Sequence, residues 1–289
     1  MINKDNCAIF IPTYKRSEKV YTYEYLRKSG WKDKIYLIVG DDDPELENYK
    51  RLYKDEVYVF SKDNVKDFDM MDNFDGKNCV VFARNVMWEV AKELNIDYFL
   101  VLDDDYSSFM FRRVYTRGDK EILKGFVVKN ITDCIYACFN YLDKCKTLDC
   151  FALSQGGDFI GGAGTYPQIN GKRKIMNAFF FAKDRPIKFL GRINEDLNAS
   201  VYYSQRGKVF FTINDMGIEQ MTTQANSGGL TDIYLDLGTF VKSFYSVIAC
   251  PNCVKISAMG NNDLRLHHKV KWNKVAPKII NEKWRKENE

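Results

Sequence analysis

Three aspartates, Asp103, Asp104 and Asp105, follow the apolar run Phe99-Leu100-Val101-Leu102 without a break. Adjacent carboxylates repel one another and disfavour extended structure, so a cluster at the end of an apolar run calls for a reason. In an extended chain Asp103 and Asp105 share one side and Asp104 takes the other. Two carboxylates on one side at a strand end suit a hard divalent cation such as Mn2+ or Mg2+, held directly or through water, and such an ion clamps a diphosphate. Spacing alone leaves a solvated loop of helix-capping carboxylates equally open. An earlier cluster, Asp41-Asp42-Asp43, ends the apolar run 36–40. There Asp43-Pro44 reads as an N-cap and first helical residue, which leaves Asp41 or Asp42 free to accept from a base N–H.

Other residue types in the chain carry chemistry of their own. Arg84 stands near a predicted helix start, where its planar cationic fork suits a phosphate or an aspartate; a surface ion pair is the plainer alternative. Glu195 and Asp196 are adjacent acids after a Gly-Arg turn, placed to take a proton or simply to favour a first helical turn. His267 and His268 are the two histidines. Neighbours in an extended chain point opposite ways, so only one of them would face a given ligand. Residues 267–289 carry seven Lys/Arg against three Glu, interleaved with Trp272 and Trp284. Lys269, Lys271, Trp272 and Lys274 fit phosphate contact with base stacking, and a packed amphipathic terminus fits them as well. Cys250 and Cys253 form a CxxC pair with no second pair to complete a zinc site. The glycines between 156 and 164 lack the strand and helix of a dinucleotide fingerprint and read better as an acceptor-side loop.

The elements that must position these residues alternate. Runs at 7–12, 34–39, 56–61 and 98–102 read as strands, and helical patterns occupy 20–30, 45–54 and 83–95. Such alternation predicts a mostly parallel α/β sheet with ligands beyond its C-terminal strand ends, where both aspartate clusters fall. Further on, 131–146 reads as a helix, 175–183 and 208–215 as strands, and 195–207 as a helix. Hydrophobic residues at 45% and charged residues at 28% belong to a globular chain and exclude disordered and fibrous classes. A net charge of +4 is too small by itself to announce a polyanion partner. Eight cysteines without a charged and apolar leader read as reduced thiols of a cytoplasmic protein, and no apolar run is long enough to span a membrane.

The order of five motifs is more specific than any one of them: "FIPTYKR" at the first strand, an acid after the second, "ARN" at a helix head, "LDDD" after the next strand and "GRINEDLNAS" downstream. This order resembles glycosyltransferases of the GT-A fold and, more narrowly, the TET-associated glycosyltransferases of phages, which glycosylate hydroxymethylated pyrimidines in DNA. The resemblance implies a GT-A-type α/β domain over 1–266, divided into a nucleotide-sugar-binding half (1–106) and an acceptor half (107–266), followed by a basic tail at 267–289. It implies that Pro12, Thr13, Tyr14 and Arg16 line the donor site, with Asp41 or Asp42 near the uracil and Arg84, Asp103, Asp104 and Asp105 around the donor. Asp103 and Asp105 match the metal-binding Asp-x-Asp, with His267 or His268 completing the shell. Asp196 matches the catalytic base, and Glu195 orients the acceptor.

The activity expected is metal-dependent transfer from a UDP-sugar to the hydroxymethyl group of 5-hydroxymethylcytosine or 5-hydroxymethyluracil in phage DNA, in the host cytoplasm. A glycan, lipid or protein acceptor on the same fold, or a nucleotidyltransferase sharing the nucleotide and metal site, remains an alternative at this stage. No obligate protein partner and no membrane are expected.

Overall fold

The computed structural model describes residues 2–155, 169–176, 178–220, 238–259 and 265–275. Its first part runs β1 (Cys7–Pro12), α1 (Tyr21–Lys28), β2 (Ile35–Gly40), α2 (Leu46–Tyr53), β3 (Val57–Phe60), α3 (Val81–Glu93) and β4 (Tyr98–Leu102). All six residues of β1 are buried, as an unbroken apolar run requires when both sheet faces are covered. β1 pairs in parallel with β2 on one side and with β4 on the other, so that Phe10 lies opposite both Tyr36 and Val101. The resulting order β3-β2-β1-β4 reverses between β1 and β4, and such a reversal opens a crevice at the C-terminal strand ends. Gly30, at φ +96°, ends α1 in a conformation that disfavours side chains.

The second part continues the same sheet in mixed sense through β5 (Tyr106–Arg117), β6 (Lys120–Val127), α4 (Ile131–Lys144), β7 (Cys150–Ser154), β8 (Ile169–Asn170), β9 (Ala178–Ala182), α5 (Glu195–Ser204) and β10 (Phe210–Gln220). Ten strands result, in the order β3-β2-β1-β4-β9-β7-β10-β5-β6, with β8 on β10. This is the α/β architecture expected of the GT-A-type chain. The triplet Phe179-Phe180-Phe181 in β9 shows how the layers form. Phe180 joins the core under α1 and α4, and Phe179 and Phe181 join the core under α3 and α5. Strand alternation sends neighbours to opposite faces, and each fully buried Phe contributes about 1.5–3 kcal/mol.

A smaller unit follows, built from α6 (Lys242–Ala249), the hairpin of β11 (Val254–Met259) and β12 (Arg265–Val270), and α7 (Trp272–Val275). Its core of Cys250, Cys253, Val254 and Val275 packs on Leu197 and Val201 of α5. The expected tail boundary at 266/267 therefore falls inside β12, because Val270, Trp272 and Val275 have an apolar surface to cover. The glycines at 156–164 and the basic stretch 276–289, with Trp284, lie outside the described residues. Among the described residues no helix is long and apolar enough to cross a membrane.

Candidate active site

The aspartates after β4 stand in the turn between β4 and β5 and take different partners. Asp104 turns inward, accepting from Thr13 Oγ1 (2.8 Å) and pairing with Arg16 Nη1 (2.7 Å) at 5% exposure. Asp103 turns the other way to Arg84 Nη2 (2.9 Å). Asp105 accepts from Gln220 Nε2 with both oxygens (3.1 and 3.0 Å). The turn itself is fixed by Thr22, which donates from Oγ1 to the Asp103 carbonyl (2.5 Å) and accepts from the Tyr106 amide (2.8 Å). Burial raises the pKa of all three acids. Asp105 and Asp196 raise Asp103 further against Arg84, Asp104 raises Asp105 further against Gln220, and Arg16 and Thr13 oppose the rise at Asp104. Crowded carboxylates of this kind favour an added cation.

Arg84 holds the centre of the site. Its side chain is 2% exposed, lies over the rings of Phe179 (5.2 Å) and Phe189 (5.6 Å), and forks to Asp103 and Glu195. A cation in this position is retained by its acids and by the rings, and Glu195 and Asp103 raise its pKa against burial. Glu195 and Asp196 open α5 after Asn194, whose φ of +57° is left-handed, a conformation Asn tolerates. Neither acid serves merely as an end charge for the helix. Glu195 is buried against Arg84, and Asp196 pairs with Lys174 (3.2 Å). Burial raises Glu195, reinforced by Asp196 against Arg84. Burial also pushes Asp196 upward, but Lys174 and Arg84 outweigh it and hold the carboxyl below its ordinary range.

The first aspartate cluster has a different task. Asp43 is buried and accepts from the amides of Lys15 (2.9 Å) and Glu45 (2.8 Å). Glu45 in turn accepts from Ser17 N (2.8 Å) and Oγ (2.7 Å), and the Tyr49 hydroxyl accepts from Arg16 N (2.9 Å). These contacts pin the loop that follows β1. Asp43 is thus an Asx-turn residue rather than the N-cap, and α2 begins at Leu46. Asp41 is exposed and Asp42 pairs with Lys62 (2.8 Å). The cleft at the switch point is lined by Pro12, Thr13, Tyr14, Arg16, Lys62, Arg84 and Asp103–Asp105, and neither Asp41 nor Asp42 lines it. Lys62 is therefore the side chain that links this first cluster to the cleft wall, and its Nζ also lies 4.8 Å from the Tyr14 ring centroid.

The histidines are not gathered with Asp103 and Asp105: among the described residues no three His, Cys, Asp or Glu side chains converge as a metal shell. His268 Nδ1 instead lies 3.4 Å from Asn194 Nδ2, which also donates to the Lys242 carbonyl (2.8 Å). Burial, with His267 and Lys174 beside it, lowers the His268 pKa to about 4, so the ring is neutral at physiological pH. Trp272 is half-buried against the small C-terminal core. Lys269, Lys271 and Lys274 are exposed on that unit. Cys250 and Cys253 are buried with sulfurs 3.0 Å apart.

Sequence reasoning missed Lys62, Gln220, Lys174 and the buried pair Arg192–Asp72, joined at 2.8 Å. Lys62 was findable, since it follows β3 as Asp41 follows β2. Gln220 was not, because the ladder of β10 shifts register between Ile213 and Gly217 and the strand runs past the expected stop at Asp215.

Comparisons with known proteins place this geometry in a family. No curated protein matches the sequence. Three solved structures share parts of the architecture at low identity. A mycobacterial protein matches at 9% identity and TM-score 0.46, covering 92% of this chain and 84% of its own. GalNAc-T7, solved with UDP, GalNAc and Mn2+, matches at 12% and 0.44, covering 75% and 44%. Glucosyl-3-phosphoglycerate synthase from Mycobacterium tuberculosis, solved with Mn2+, UDP and phosphoglyceric acid, matches at 8% and 0.45, covering 92% and 87%. The model of one family, described as TET-Associated Glycosyltransferase, matches residues 7–229, a span that includes the β1 loop, Arg84, the three aspartates after β4 and the Glu195-Asp196 pair. The chain therefore belongs to the TET-associated glycosyltransferases and is an enzyme of the glycosyltransferase class.

Proposed function

We propose that this glycosyltransferase moves a sugar from a UDP-sugar to the hydroxymethyl group of 5-hydroxymethylcytosine or 5-hydroxymethyluracil in phage DNA, in the host cytoplasm. The observation that carries the reading is the convergence of Asp103, Arg84 and Glu195 at the switch-point crevice, with Asp196 next in the chain on the same helix start. One side of this array faces the donor cleft and the other opens α5. Residues 1–106 are read as the donor half and residues 107–266 as the acceptor half, the division the family resemblance implies.

The donor set fits a divalent cation. Asp103 and Asp105 both line the cleft and would supply oxygen ligands there; burial first, and neighbouring carboxylates after it, raise both pKa values, and a hard cation would offset that cost. Bound there, Mn2+ or Mg2+ would neutralise charge on the departing diphosphate. With two protein carboxylates available, the diphosphate and water would supply the remaining ligands, and neither His267 nor His268 is needed. Pro12, Thr13, Tyr14 and Arg16 shape the nucleotide side of the cleft, and the buried Asp104 pairing holds Thr13 and Arg16 in place. Arg84 fixes Asp103 and Glu195 relative to one another, which sets the acceptor carboxylates against the donor. Asp196, held ionised by Lys174 and Arg84, accepts the proton of the attacking hydroxyl, and Glu195 orients the acceptor.

Mass spectrometry of nucleosides from hydroxymethylated DNA, incubated with the enzyme, Mn2+ and a panel of UDP-sugars, tests this directly. A hexose or pentose increment on the modified pyrimidine is expected. An unchanged nucleoside across the panel would sink the DNA acceptor, and a nucleotide increment would make the enzyme a nucleotidyltransferase.

A further inference from the structure

The hairpin of β5 and β6 stands apart from the rest of the sheet. Pairing of β5 with β10 stops at Phe111, opposite Met216, while β5 and β6 remain paired from Met110↔Val127 out to Arg117↔Lys120. A two-stranded ribbon gains little stability alone, yet this one also exposes large apolar side chains: Phe111 (41%), Tyr115 (44%), Ile122 (43%) and Phe126 (40%).

The register sorts its side chains. Directly opposed residues project from the same face, and successive rungs on that face are two residues apart. One face therefore carries, in order, Phe111 with Phe126, Arg113 with Lys124, Tyr115 with Ile122, and Arg117 with Lys120. Apolar rungs and doubly cationic rungs alternate. The rings also meet along the face, with Tyr115 and Phe126 centroids 5.9 Å apart and Lys124 Nζ 5.3 Å from the Phe126 centroid. All four cations are exposed, and among the described residues none forms an ion pair. Like charges placed directly opposite destabilise a ladder, so the pattern costs the free protein stability that a bound polyanion restores. Residues 111–127 hold five Lys/Arg against two acids, an excess of three in a chain whose net charge is +4.

We propose that this ribbon face is a docking surface for the phosphate backbone of duplex DNA, and that it extends the acceptor site away from the catalytic turn; the proposal rests on the DNA acceptor reading above. At about 3.3 Å per residue the two cationic rungs lie about 13 Å apart on one line, with the Tyr115–Ile122 rung between them, which suits a linear polyanion with regularly spaced charges. A two-stranded ribbon also enters a major groove about 12 Å wide. A second copy of the chain would bring like charges together on this face, and the doubly cationic rungs that alternate with the apolar ones oppose insertion into a bilayer. Because β5 starts at Tyr106, directly after Asp105, the cationic rungs lie about 23 and about 36 Å along the strand from the catalytic turn. At 3.4 Å per base pair, the duplex must then extend about 7–11 base pairs beyond the modified base to reach both rungs.

The test is duplex binding by the full chain as a function of salt. Variants are the double reversal Arg113→Glu with Lys124→Glu and, as a gentler second, Arg117→Gln with Lys120→Gln, each checked for thermal midpoint and UDP affinity. Expected are at least a tenfold loss of affinity for the reversal and a shallower log–log salt slope for both, by about 0.9 for each contact removed. The loss should vanish on duplexes that extend only about four base pairs from the modified base, too short to reach the rungs. Unchanged affinity and slope in both variants overturn the proposal, as does charge-dependent binding of polyglutamate or phosphatidylserine vesicles that matches the duplex. The two readings fail separately. A ribbon-dependent duplex that gains no sugar removes the proposed transfer and keeps the ribbon, and sugar transfer indifferent to both variants does the reverse.

Discussion

Arg84 and the acids around it decide whether the proposed chemistry works, and each can be tested alone. Removing a carboxylate that holds a leaving-group cation lowers kcat by about 10²-fold or more, so Asp103→Asn and Asp105→Asn should each show that loss together with a higher Mn2+ requirement in steady-state assays. Asp104→Asn should behave differently. Asp104 faces Thr13 and Arg16, so its loss should weaken UDP binding and stability rather than metal dependence. Asp196→Asn should lower transfer by about 10²–10⁴-fold while UDP affinity holds, the range for removing a general base. Lys174→Met gives a signed pH test. Lys174 is the leading influence that lowers the Asp196 carboxyl, so its removal raises that pKa, and the acidic limb of the rate profile should move to higher pH. A limb that stays in place would mean the proton goes elsewhere. The importance of the aspartates after β4 was legible through the order of motifs in the family resemblance, whereas spacing alone left a solvated loop equally open. The roles of Asp41 and Asp42 were not, since the Lys62 pairing that occupies Asp42 joins the ends of two strands about twenty residues apart.

At the scale of elements, legibility followed burial. β1 appeared in the sequence at its observed bounds because "CAIFIP" is apolar throughout and both its faces are covered. β5 and β6 left no such mark. Most of their residues are exposed on both faces, so no period of two distinguishes them, and only the Gly118-Asp119 turn, with Gly118 at φ +61°, signals a hairpin. β12 was read as tail because its basic side chains hide a strand whose partner is β11. That unit makes its own prediction through His268. Its pKa is lowered to about 4, first by burial, so the unfolded chain takes up a proton at a higher pH than the folded one. The stabilisation from a neutral His268 is therefore present above the unfolded value of about 6.5 and is lost as pH falls toward 4. Thermal midpoints should drop over that window, and His268→Asn should flatten the drop. Identical pH dependence in the two proteins would remove His268 from the account.

At the scale of the molecule, the donor half, α5 and the C-terminal unit meet at one buried cation. Arg192, two residues before Asn194, is 2% exposed and pairs with Asp72 through Nε (2.8 Å) and Nη2 (3.0 Å). It also donates to the Phe74 carbonyl (2.8 Å) and to that of Gly76, and Tyr245 of α6 donates to the same Asp72 (2.5 Å). The loop before α3, the turn that carries Glu195 and Asp196, and the unit that carries His268 thus share the Asp72 carboxylate as one polar contact, beside the apolar packing on α5. Breaking a buried pair from one side leaves an uncompensated charge at a cost of about 3–5 kcal/mol, whereas replacing both partners with apolar groups of similar size is often nearly neutral. Asp72→Ala alone should therefore lower stability by about that amount in denaturant titrations, and Asp72→Leu with Arg192→Met should recover most of it. Transfer activity should follow a different order, because the double replacement restores packing without restoring the hydrogen bonds that orient the turn. It should fold near wild-type stability and still transfer sugar more slowly, with the loss in kcat rather than in donor affinity. A double variant that regained both stability and rate would show that the polar clamp serves the fold alone, and that Glu195 and Asp196 are positioned by Arg84 and Asn194 without it.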